Sequence, residues 1–192
     1  MKTSRLEAFS DGVIAIIITI MVLELKTPAG HDWSDLRALG HVFGFYALSF
    51  IYLGIYWNNH HHMTHMCDRV TGAVLWANLH LLFWLSLFPL GTSWMGDSHV
   101  APLPTATYGF IQMMAGVAYY ILETTLIKAQ GAHSQLREAL GSDFKGKISV
   151  VFYAVAIAVA WKQPWIAAAI YVGVAAMWLV PDRRIENRIA HV

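Results

Sequence analysis

Gly12 to Leu23 is a run of twelve residues without a charge, six of them isoleucine or leucine, and it begins directly behind Arg5-Leu-Glu-Ala-Phe9-Ser10-Asp11. Such a run suits a hydrocarbon core, but a carboxylate at its edge costs on the order of 2.5–3.5 kcal/mol to insert unless it finds a partner or a watery path. The first helix is therefore expected to do more than anchor the chain.

The rest of the sequence repeats the pattern of apolar runs bounded by charges and turn residues. Six candidate membrane helices result, at about 6–25, 40–58, 70–95, 105–128, 145–161 and 164–181. Only Lys162-Gln163-Pro164 divides the last two, and proline suits the first position of a helix after a tight turn. With 192 residues, 57% of them hydrophobic and 13% charged, and a mean hydropathy of +0.48, six spans with short loops use nearly everything. The reading is an all-α polytopic membrane protein, a single six-helix domain over 1–192, with no room for a soluble domain between spans. A net charge of +1 gives no nucleic-acid signal, and the one cysteine, Cys67, excludes an intrachain disulfide. Asp11 near the start of the first apolar run, with no small-residue cleavage site after it, argues against a cleavable signal peptide.

Lysine and arginine give the orientation. With a cytoplasmic N-terminus the inner segments hold Lys2, Arg5, Arg69, Lys128, Arg137, Lys145, Lys147, Arg183, Arg184 and Arg188, and the outer ones only Lys26, Arg37 and Lys162. This positive-inside asymmetry predicts a cell-membrane protein with both termini cytoplasmic.

At 100° per residue, Ile16, Ile20 and Leu23 fall on one narrow stripe of the first helix, with Thr19 at its edge. Spacing alone leaves open whether the stripe meets lipid or something else. Thr19, the only hydroxyl in the run, can bond a carbonyl of its own helix or face outward.

Arg5, three spacers, then Phe9-Ser10-Asp11 opening an apolar helix resembles the signature of the transmembrane protein 175 family, and Trp76-Ala-Asn78-Leu-His80 before an apolar run to Pro89 is a second matching patch. The resemblance implies a potassium-permeable channel whose first helix lines a pore on the symmetry axis. It makes Ile16, Ile20 and Leu23 the constriction and brings Thr19 into question as a selectivity element. One copy of the signature per chain implies a homotetramer in the lipid bilayer, because relatives with two copies form dimers. The permeant ion would be K+, with no cofactor. No Thr-Val-Gly-Tyr-Gly filter occurs here, so discrimination against sodium is expected to be modest. An aliphatic neck closes by dewetting and needs no charge to do so.

Asp11 lies roughly 140° around the wheel from Ile16, so a pore-facing stripe turns the acid toward its own subunit. Ser10, Trp76, Asn78 and His80 are the expected donors of a structural network around it, although Asn78 points away from the face shared by Trp76 and His80. His60-His-His-Met-Thr-His65-Met-Cys67 reads as a histidine cluster in a short cytoplasmic loop. His61 and His65 share an i, i+4 face suited to zinc or copper, but no glutamate stands between them and no metal is assigned. Glu123 is expected to snorkel or pair with Lys128, and Gly40-His-Val-Phe-Gly44 to mark a helix contact. The alternative function is a proton-coupled secondary transporter with Asp11 and His80 as relay, which broken helices or internal repeats would favour. No nucleophile or metal triad suggests an enzyme.

Overall fold

Apolar runs punctuated by Pro and Gly fold as helices in the computed structural model, which describes residues 3–67, 69–131, 136 and 144–179. Among these residues the order is α1 (Thr3–Leu23), α2 (Trp33–Ala38), α3 (Gly40–His65), α4 (Gly72–Ser86), α5 (Phe88–Asp97), α6 (Pro102–Gln130), α7 (Phe144–Ala160) and α8 (Pro164–Leu179), with no strand. Three segments are long and apolar enough to cross a bilayer: Thr3–Leu23, Gly72–Asp97 and Pro102–Gln130. At about 1.5 Å rise per residue, α1 reaches roughly the 30 Å of a hydrocarbon core. Residues 180–181 of the last expected span, and Lys2, Arg137, Arg183, Arg184 and Arg188 of the basic count, lie outside the described residues.

The structure changes some of these expectations. The third span is two helices joined at Leu87, because Pro89 offers no N–H to the Leu85 carbonyl and its ring crowds that turn. The histidine cluster is no loop: α3 runs on through His65, and His60 is 1% exposed. Elsewhere the turn chemistry holds. The Thr71 hydroxyl accepts from the Val74 N–H to cap α4, and Pro164 opens α8 after the turn that Gln163 closes on the Val159 carbonyl (2.8 Å).

α6 is the central element, packed against α4, α5, α7 and α8, whereas α1 lies to one side against α3, α4 and α5. Hydroxyls pin the middle of the bundle: Ser49 bonds both Thr92 (2.6 Å) and Tyr108 (2.8 Å), and Tyr171 donates to the Thr105 carbonyl (3.0 Å). The rings of Tyr52, Phe88, Tyr108, Tyr153 and Tyr171 fill the space around these bonds. Gly109 is required where Tyr171 crosses α6, since a Cβ there would overlap the tyrosine hydroxyl. Gly40 and Gly44 are both exposed, and a Cβ at either would meet no neighbour within 4 Å among the described residues, so they mark no helix contact there.

Candidate functional site

α1 has two apolar faces with different fates. Leu6, Ser10, Ile14, Ile17 and Met21 repeat at helical spacing and are buried against α3, α4 and α5. The opposite face carries Phe9, Ile16, Ile20 and Leu23 in the open, with Ile16 58% and Leu23 80% exposed. Thr19 is also exposed, and its hydroxyl donates to the Ile16 carbonyl three residues back (2.8 Å).

A directed hydrogen-bond chain holds the buried face near the N-terminal end of α1. His60 Nε2 lies 2.8 Å from Asn78 Oδ1, Asn78 Nδ2 donates to Ser10 Oγ (2.9 Å), and Ser10 Oγ donates to the Leu6 carbonyl (2.9 Å). An amide oxygen only accepts, so the His60 proton sits on Nε2 and every donor in the chain points toward α1. Four residues after His60, the Thr64 hydroxyl donates to the Glu7 carboxylate (2.9 Å), a second tie between α3 and α1. Three helices thus meet through one serine, one asparagine and one histidine, all buried.

Asp11 lies at the edge of this arrangement. It is half-buried, and its Oδ1 accepts from the indole N–H of Trp57 on α3 (3.0 Å). The expected donors on α4 behave otherwise. Trp76 is 76% exposed on the outside of α4, His80 Nε2 accepts from Trp84 (3.0 Å), and Asn78 serves Ser10 instead of the acid. Among the described residues Asp11 bonds Trp57 and His80 bonds Trp84, and no direct hydrogen bond joins the two. Arg5 is exposed at the start of α1. His61 and His65 are exposed, their rings stacked 5.8 Å apart under Trp57, with no third metal-ligating side chain grouped with them among the described residues. Glu123 is 4% exposed within α6, so it turns into the bundle instead of snorkelling.

Trp57, His60, Thr64 and Glu7 escaped sequence reasoning. Glu7 was within reach, because it stands one helical turn before Asp11 and so shares its face. His60 and Thr64 were hidden by reading the histidine segment as a loop, and Trp57 by the lack of any sequence signal for which indole faces Asp11.

A model of the family "Endosomal/lysosomal potassium channel TMEM175" matches residues 5–89, the stretch that holds α1, the hydrogen-bond chain and the open stripe. Over 189 residues the chain is 54% identical to a potassium channel of Chryseobacterium sp. strain P1-3, covering 98% of both. The chain belongs to the TMEM175 family. A potassium channel of Streptomyces collinus is 33% identical over 132 residues, 63% of each chain. The crystal structure of a lysosomal potassium-selective channel TMEM175 homologue from Chamaesiphon minutus shares the fold, with a TM-score of 0.81 at 24% identity over 93% of this chain and 96% of that one. The TMEM175 fold therefore extends through α6, α7 and α8, beyond the segment the family model matches. With its apolar helices this TMEM175 member is a membrane protein of a channel family and not an enzyme.

Proposed function

We propose that four copies of this chain assemble around an axis into a passive, potassium-permeable pore, each copy crossing the membrane six times with both termini in the cytoplasm. α1 of each copy lines the axis, and Ile16, Ile20 and Leu23 form stacked aliphatic rings that close by dewetting. The observation that carries this reading is the divided helix: α1 is tied to its own bundle by Ser10 on one face and presents an uncharged stripe on the other.

Two arguments support an axial path. The core of the described subunit is filled by groups such as Leu53, Leu85, Phe88, Tyr108 and Tyr171, all fully buried, so it offers ions no passage and leaves the space between copies. The relatives over nearly the whole length are named potassium channels. Thr19 contributes through its oxygen: with its proton given to the Ile16 carbonyl, the lone pairs stay available to a partly dehydrated cation. Reversal potentials of the purified protein in planar bilayers under opposed potassium and sodium gradients test the proposal. A cation current that follows the potassium gradient supports it, and a protein that conducts nothing overturns it.

A further inference from the structure

A cavity of about 270 Å³ opens between α3, α6, α7 and α8, on the side of the subunit away from α1. Tyr52 and Tyr153, both buried, close its inner end, while Lys147 and Asn59 stand at its outer end, near the cytoplasm-assigned ends of α7 and α3. Most of its wall surface is apolar, although tyrosines, Asn59 and Ser149 are among the lining residues. Gly116 opens onto this space: a Cβ there would meet only the Tyr56 hydroxyl and Val150, each at 3.9 Å, in ordinary contact. The far wall is held by Trp178, whose indole donates to Ser149 Oγ (2.9 Å).

The size lies near the lower end of the roughly 300–1,000 Å³ of small-molecule sites. With wall surface that is mostly apolar, that suits one alkyl chain better than a strongly polar solute, much of whose hydrogen bonding would go unmet. Lys147, the cation among the described lining residues, stands at the cavity's outer end, and the anionic lipids of a cytoplasmic leaflet are drawn to such charges. We propose that this cavity takes one acyl chain of an anionic phospholipid, with the headgroup phosphate against Lys147 and the chain reaching inward past Gly116 toward Tyr52 and Tyr153. The proposal rests on the orientation given above, which puts Lys147 at the cytoplasmic surface. A lipid seated there touches α3 and α6 at once. It would brace α3 beside His60, the neighbour of Asn59 that holds Ser10 through Asn78.

Native mass spectrometry of the full-length channel released from nanodiscs of equal phosphatidylglycerol and phosphatidylcholine tests it. The wild type is expected to retain one phosphatidylglycerol per subunit. Gly116→Leu, which fills the space, loses that lipid, and Lys147→Gln retains both lipids equally. Val150→Phe fills the same space from α7 and gives the same loss if Gly116→Leu fails to fold. Unchanged phosphatidylglycerol retention in a folded filling variant overturns the site, and retention of a fatty acid in place of the phospholipid overturns its occupant. Potassium flux from the same preparations reports the channel separately, so a preparation that conducts but holds no phosphatidylglycerol overturns the lipid site alone.

Discussion

Asn78 does two jobs that no apolar residue can share, accepting from His60 and donating to Ser10 in a dry environment. Removing one partner of a buried pair leaves the other unmet at a cost of about 1–3 kcal/mol. Asn78→Leu orphans His60 Nε2 and is expected to lower the thermal midpoint of the detergent-solubilised protein clearly. Ser10→Ala orphans one amide hydrogen and should lower it less. Asp11→Asn keeps an acceptor oxygen for Trp57 at an exposed bond, so its midpoint should stay near that of the wild type. A larger loss for Asp11→Asn than for Asn78→Leu would make the acid, and not the asparagine, the anchor of α1. The sequence made Ser10, Asp11 and Asn78 visible as polar groups on apolar helices. It did not reveal who bonds whom, because the choice between Trp57 and Trp76 depends on how α3 and α4 rotate against α1, and two indoles on apolar helices look alike in one dimension.

Each helix carries information at its own period, and that is why α1, α6, α7 and α8 were legible while the α3 end and the α4–α5 joint were not. Polar imidazoles from His60 to His65 mimic a loop, yet His60 and Thr64 fall one turn apart on the buried face. Pro89 was visible, but its effect depends on the carbonyl it leaves behind. For the stripe on α1, Ile16→Asn should keep the neck wet, raise single-channel current and weaken preference for potassium over sodium. Thr19→Val, nearly isosteric, should keep conductance but lower that preference, read from bi-ionic reversal potentials. Unaltered selectivity in both, with normal assembly, would move the constriction off this stripe. Gly109→Ala acts elsewhere: its methyl collides with the Tyr171 hydroxyl, so α8 must shift from α6 and stability should fall by about 1–3 kcal/mol without altering selectivity.

At the scale of the molecule, an uncharged stripe offers nothing to couple ion movement to protons. The reversal potential should therefore follow the potassium gradient and stay fixed when only the pH gradient changes. Potassium accumulated against its gradient when a proton gradient is imposed would replace the pore with a carrier. Hydropathy outlined the apolar helices from sequence, but copy number could not follow from it, since a single subunit's pattern is satisfied by lipid or by a neighbour. The tie between Asn78 and Ser10 also bears on how a copy is made. Its two ends are 68 residues apart in the chain, and at about 5–20 residues per second of synthesis the first helix waits several seconds for the fourth. α1 and α3 leave the ribosome first, each carrying half of a polar contact that only α4 completes. Until it arrives, the His60 imidazole lacks the amide acceptor that the finished fold gives it, so the last helix of the trio to be made is the one that closes the contact.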